Sequence, residues 1–255
     1  MKFRTLLFAI GTTILTVGAH AEQIAIAAAA DLKFAMDEVI SEFKKQNPEH
    51  KIDVIYGSSG KFFTQIQQGA PYDLFFSADI TYPVELKKAG FAASEVAQYA
   101  IGRIVLWSNS ADASKMTLAS LNDPKIARIA IANPKHAHYG KRAEEAMKAA
   151  NVWDANSSKF VFGENVAQTA QYVQTGNAQV GIIALSLAKS PELSKQGGYY
   201  LIPDNLHQPL EQGFVVTKRA EGNALAKRFA TFVSSKPARD ILVRFGFVLP
   251  SDKAK

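Results

Sequence analysis

Residues 52–60 read Ile52-Asp53-Val54-Ile55-Tyr56-Gly57-Ser58-Ser59-Gly60, an apolar strand candidate running into a turn of four small residues. The stretch that follows, 61–68, has the pattern of a helix. A strand, a small-residue turn and a helix start leave several backbone N–H groups without intrahelical acceptors. The two serines add hydroxyl donors, so the corner suits an anion. Taken alone, it reads more simply as a turn in which Ser59 is the helix N-cap, a common arrangement. The choice between these readings depends on how often the corner recurs along the chain.

It recurs throughout. An apolar, small-residue run over 23–30 suits a buried strand, and the helix after it carries Leu32, Met36, Val39, Ile40 and Phe43 on one face. Further strands are expected over 73–76, 99–107, 128–132, 159–162, 179–185 and 199–202. Helices are expected over 83–88, over 139–150 and from Val166 onward, and two more close the chain. Repeated βα units at this spacing predict α/β architecture with mostly parallel sheets flanked by helices. The pattern restarts after Arg103, which implies two lobes of similar size. The expected division is lobe I over 22–102 and 214–255 and lobe II over 103–213, with 213–218 crossing back between them. Two such lobes make a cleft faced by strand ends and helix N-termini.

The ends and the composition narrow the class. Lys2 and Arg4, an apolar stretch over 6–17 and Ala19-His20-Ala21 have the order of an export signal over 1–21, with the mature chain starting at Glu22. The 255 residues contain no cysteine. The exported chain therefore has no disulfides and lacks the cysteine that lipid attachment needs, which favours a periplasmic location without an anchor. The formal charge of +6 falls to +4 once Lys2 and Arg4 leave. Basic residues such as Lys44, Lys45, Lys87, Lys88, Lys218 and Arg219 are scattered rather than striped with aromatics, which argues against nucleic acid. A mildly positive field would attract a small anion, and it equally fits an ordinary soluble surface.

Four segments would bring helix starts to the cleft: Ala29-Ala30-Asp31, Gly57-Ser58-Ser59-Gly60, His138-Tyr139-Gly140 and Glu164-Asn165-Val166. Each offers backbone N–H groups, and Ser58, Ser59 and Tyr139 add hydroxyls. Capping explains each segment singly, whereas their joint occurrence points to a site. Neutral donors alone suit a fully deprotonated dianion, because no ligand proton needs an acceptor. Each helix N-terminus adds about half an elementary charge.

The chain resembles the periplasmic molybdate-binding proteins of ABC importers. The resemblance rests on Ala27-Ala28-Ala29-Ala30-Asp31-Leu32, the Gly57–Gly60 turn and Gly69-Ala70-Pro71-Tyr72-Asp73-Leu74-Phe75-Phe76-Ser77-Ala78-Asp79. It continues with Tyr99-Ala100-Ile101-Gly102, Ile131-Ala132-Asn133-Pro134, Tyr139-Gly140, Asn165-Val166 and Gly181-Ile182-Ile183-Ala184-Leu185, and runs to Phe247. It implies a two-lobe binding-protein fold and capture of molybdate, with tungstate as a second ligand. It further implies delivery to a membrane permease, a monomer, no catalysis and no cofactor. Sulfate or another tetrahedral oxyanion is the alternative ligand, and an enzyme on the same fold is the alternative class.

The implied oxyanion contacts are Ala30, Asp31, Ser58, Ser59, Tyr139 and Val166. The only metal expected is the one inside the oxyanion, held through Asp31, Ser59, Tyr139 and Val166. Two departures from the family pattern stand out. Asp31 occupies a position where many members have serine, threonine or asparagine. A carboxylate there would repel a unit charge at 4 Å by roughly 4 kcal/mol at an effective dielectric of 20, and a dianion doubles that. Asp31 is therefore expected to turn away and cap its own helix, offering only its N–H. Ala184 is a further candidate position, where some members place a tyrosine; Tyr139 is expected to supply the missing hydroxyl.

Other chemistries fit less well. Gly60-Lys61 is followed by Phe62 rather than serine or threonine, which removes a P-loop. His136 and His138 lack partners at metal spacing and read as solvated loop positions. No Gly-x-Ser-x-Gly elbow occurs, and Asp31 and Asp79 are the only carboxylates expected near the cleft.

Overall fold

The computed structural model describes residues 22–250. The export segment expected over 1–21 lies outside them. The strands are β1 (Gln23–Ala29), β2 (Lys51–Gly57), β3 (Leu74–Ser77), β4 (Ala97–Gly102), β5 (Ile104–Ser108), β6 (Ile129–Ala132), β7 (Phe160–Gly163), β8 (Val180–Ala184), β9 (Gly198–Leu201) and β10 (Leu210–Val216). They form two five-stranded sheets, ordered β2-β1-β3-β10-β4 and β7-β6-β8-β5-β9. The helices are α1 (Lys33–Lys44), α2 (Ser59–Gln67), α3 (Thr81–Lys88), α4 (His138–Ala149), α5 (Trp153–Asn156), α6 (Val166–Gln174), α7 (Leu185–Ala188), α8 (Leu193–Gln196), α9 (Ala224–Val233) and α10 (Lys236–Arg244).

Both sheets are mixed. β1 runs parallel to β2 and β3, and β6 runs parallel to β7 and β8. β10 is antiparallel to β3 and β4, and β5 is antiparallel to β8 and β9. The parallel strands come from βα units. β5 and β10 are the first strands after the chain passes from one sheet to the other, and they run against those units, whereas β4, antiparallel to β10, keeps the direction of β1 to β3. In β1, Ile24, Ile26, Ala27 and Ala28 are all buried, as expected of a strand covered on both faces. β2 lies at the sheet edge, and its Ile55 is exposed.

The apolar run over 99–107 is not one strand. It breaks at Arg103 into β4, which pairs with β10, and β5, which pairs with β8 and β9. Both halves are apolar, and although Gly102-Arg103 interrupts the run, nothing in the local pattern says that the two halves join different sheets. The return differs as well. Residues 213–218 do not cross between sheets, because β10 already starts at Leu210 and lies between β3 and β4. The crossing falls in 202–209.

Separate cores support the two sheets. Trp107, Leu106, Ile131 and Ile182 are buried in the second. In the first, Phe76 stacks on Phe214 at 4.7 Å and meets Phe229 edge-on at 6.3 Å. Leu225 and Phe229 of α9 and Leu242 of α10 join this core, which returns the C-terminal helices to the first sheet.

Candidate functional site: an oxyanion cavity between the lobes

The helix starts that converge on the cleft differ in how their first N–H groups are used. At the Gly57–Gly60 corner, Ser58 rather than Ser59 holds the N-cap position, and its side chain makes no capping bond. Its hydroxyl instead meets His136 Nδ1 at 3.2 Å. Ser59 is the first residue of α2. Its Oγ accepts the Ala78 N–H at 2.9 Å, which leaves its own hydroxyl proton to be donated elsewhere. α4 starts at His138 behind Ala137, which offers no side-chain cap. At α6, Asn165 Oδ1 accepts from the N–H groups of Ala167 and Gln168, each at 3.0 Å, so the cap does not use the Val166 N–H. A 3-10 turn, Ala30–Leu32, follows β1 and is likewise uncapped by a side chain.

These starts surround one small cavity. It is lined by Ala29, Ala30, Asp31, Gly57, Ser58 and Ser59 together with Ala78, Ala137, His138, Tyr139, Asn165 and Val166. It is narrow, with about 10 Å³ open to the centre of a water-sized sphere. A larger cavity of about 480 Å³ shares Ala30 and Asn165 with it and is lined by Lys33, Phe34, Tyr56, Gln168, Gln171 and Glu192. Size alone would favour the larger one. The chemistry favours the smaller, where four helix starts meet and no lysine or arginine intrudes.

All six sequence-derived contact residues line the small cavity, but two side chains behave differently from expectation. The Asp31 carboxylate does not cap its own helix. Its Oδ2 accepts from Tyr139 Oη at 2.9 Å and from Gln212 Nε2 at 2.7 Å, while its Oδ1 is buried with no partner. Burial pushes the Asp31 carboxyl up to about 6, although the bonds from Gln212 and Tyr139, and more weakly the backbone N–H groups of Asp31 and Leu32, oppose the shift. The Tyr139 hydroxyl, in turn, donates to Asp31 and accepts from Gln212 Nε2 at 3.1 Å. That hydroxyl proton therefore goes to the carboxylate. Ala184 is the N-cap residue of α7 and does not line the cavity.

Gln212 was not visible as a site residue. It is fully buried in β10, receives the Tyr99 hydroxyl on Oε1 at 2.6 Å and gives its amide protons to Asp31 and Tyr139. The signal in the sequence is slight: Gln212 follows Glu211 at the head of an otherwise apolar strand.

The family model for bacterial extracellular solute-binding proteins matches residues 24–248. The chain belongs to that family. A molybdate-binding protein ModA of Azotobacter vinelandii is 32% identical over 96% of this chain and 97% of its own. One from Rhodobacter capsulatus is 32% identical over 92% and 91%. The solved periplasmic molybdate-binding protein of Azotobacter vinelandii superposes with a TM-score of 0.84 at 30% identity, covering 89% of this chain and 99% of that one. The sulfate-binding protein SubI of Mycobacterium tuberculosis shares the fold, with a TM-score of 0.75 at 17% identity over 92% and 88%.

In this solute-binding protein the two lobes are in direct contact around the cavity. The Gly60 N–H donates to the His136 carbonyl at 3.1 Å, and Ser186 Oγ donates to the Asp31 carbonyl at 2.7 Å. His138 is not a solvated loop residue: it is buried, and its Nδ1 lies 2.9 Å from Asp79 Oδ2. Burial would raise the Asp79 carboxyl. The hydrogen bond and charge of His138 outweigh it, together with bonds from Thr81, and hold it well below the usual carboxylate range. Lys61 and Glu164 pair across the rim.

Proposed function

We propose that this protein captures molybdate between its lobes, takes tungstate by the same contacts, and delivers the anion to the membrane permease of an ABC importer. The observation that carries this reading is the small buried cavity walled by helix starts of both lobes and free of lysine and arginine. The donors are the backbone N–H groups at Ala30, Asp31, Ser59, Tyr139 and Val166 together with the Ser59 hydroxyl. Each oxygen of a tetrahedral dianion meets donors, and the helix N-termini add favourable partial charge without desolvating a cation. The similarity to ModA proteins over nearly the whole chain supports molybdate in particular.

Ser58 holds the rim in this reading, with its hydroxyl on His136, and Tyr139 serves through its backbone while its ring anchors Asp31. The protein works as a monomer in the periplasm, without a lipid anchor and without turnover. The lobes close by hinge motion on the anion, and the closed form is what the permease recognises.

Calorimetric titration of the mature chain with molybdate, tungstate, sulfate and phosphate tests the reading. Tight binding of molybdate and tungstate is expected. Tight sulfate binding with none of molybdate would overturn the ligand assignment. Turnover of a phosphate or sulfate ester would overturn the transport role.

A further inference from the structure

Asp31 brings a buried carboxyl group to the wall of a cavity built largely from helix starts. Its Oδ2 is doubly occupied as an acceptor, by Tyr139 Oη and Gln212 Nε2. Its Oδ1 is buried and has no partner, in a residue only 1% exposed that lines the cavity. Tyr99 fixes the orientation of Gln212 by donating to Oε1, so the amide presents N–H rather than oxygen to Oδ2. The carboxyl oxygen that must accept is thus settled, and the other is the one place in this network where a proton could sit and be donated.

We propose that Asp31 makes anion capture proton-linked: on closure it takes one proton from solvent on Oδ1 and donates it as a hydrogen bond to the bound dianion. This rests on the oxyanion reading of the cavity. The balance is a carboxylate, a dianion and one proton giving a neutral carboxyl hydrogen-bonded to the dianion; no covalent bond to the ligand forms. The proton resides on Asp31 because molybdate and sulfate are weaker bases than this carboxyl, which burial already pushes up to about 6 before a dianion arrives.

The groups facing Asp31 do not supply the proton. From β4 and α4, Tyr99 and Tyr139 are pushed well above their ordinary value by burial and remain neutral. β10 presents Gln212, and α7 presents the Ser186 hydroxyl to the main-chain carbonyl. His138 also lines the cavity but is held by Asp79, and the His136 ring meets Ser58 and Glu164 rather than Asp31. Lys33 lines the neighbouring cavity instead.

The test is calorimetric titration of the mature chain with molybdate, in pairs of non-phosphate buffers of different ionisation heat, between about pH 7 and about pH 9. Uptake of nearly one proton per anion is expected, with Kd rising about tenfold per pH unit. Asp31→Asn presents an amide donor in place of the protonated oxygen. It should bind with little pH dependence and without proton uptake, and more tightly than the wild type at the alkaline end. Molybdate binding without proton uptake in the wild type would overturn the proposal while leaving the oxyanion site intact. So would an unchanged slope in Asp31→Asn, which would assign the proton to His138. Absence of binding by any of molybdate, tungstate and sulfate would overturn the oxyanion reading itself, and the proposal with it. The wild-type buffer comparison stands even if the variant fails to fold.

Discussion

Ser59 and Asp31 show how much a single side chain decides. Ser59 Oγ accepts from Ala78 and keeps its proton for a ligand. Ser59→Ala removes that donor and should weaken molybdate binding by about 1–3 kcal/mol, read by calorimetric titration. Unchanged affinity would return Ser59 to a purely structural role beside Ala78. Asp31 predicts a pH effect on the ligand-free protein. Its folded value, about 6, lies above the ordinary 3.8, so the folded state holds this proton more tightly than the unfolded chain does. The stability it contributes is present below about pH 4 and lost as the pH rises through about 6. Asp31→Asn should therefore match the wild type near pH 4 and exceed it by roughly 1–3 kcal/mol near pH 7.5, measured by denaturant unfolding. At this scale the sequence named the positions. It could not orient them, because the partners Gln212 and Ala78 are distant in the chain.

The decisive element is the β2–α2 corner. Ile52 to Gly60 is readable as strand, turn and helix start because small residues there relieve the backbone and expose its N–H groups. The structure adds why Gly60 must be glycine. A Cβ at that position would lie 2.8 Å from the His136 carbonyl oxygen, in the other lobe. Alanine favours the helix intrinsically, so Gly60→Ala should leave the folded lobe intact. It should nonetheless oppose closure and weaken molybdate binding by about 1–3 kcal/mol, the usual scale of overpacking. A more open envelope by small-angle scattering with saturating molybdate would accompany the loss. Equal envelopes and equal affinity would mean that the contact is readily relieved. The break at Arg103 teaches the converse lesson: the stretches on either side are both apolar, so the pattern marks a restart there without saying which sheet each half joins.

Across the whole molecule, closure depends on contacts that no local pattern contains. His138 and Asp79 pair at 2.9 Å across the cleft, both largely out of water, and Lys61 and Glu164 pair at its rim. The buried pair matters more, because exposed pairs are screened by solvent and salt. Asp79→Asn should shift the ligand-free protein toward an open form, seen as a larger radius of gyration. It should also lower molybdate affinity about tenfold or more, since a closed state of reduced population binds proportionately less. Lys61→Gln at the rim should change both far less. Equal effects from the two substitutions would deny the buried pair its special role.

By itself the sequence determined the α/β class and the two-lobe plan, and its resemblance to a known family pointed to six of the residues that line the cavity. The class and the plan follow from local rules: hydrophobic period, small-residue turns and helix starts that leave N–H groups free. Only the tertiary structure decided which hydroxyl faces which partner, where the chain changes sheet and what Asp31 does. The two donors to the Asp31 carboxylate, Tyr139 and Gln212, lie 108 and 181 residues from it in the chain. Burial of that carboxyl arises only when both lobes close around it, and a buried group's protonation is a property of the enclosure rather than of its neighbours in sequence.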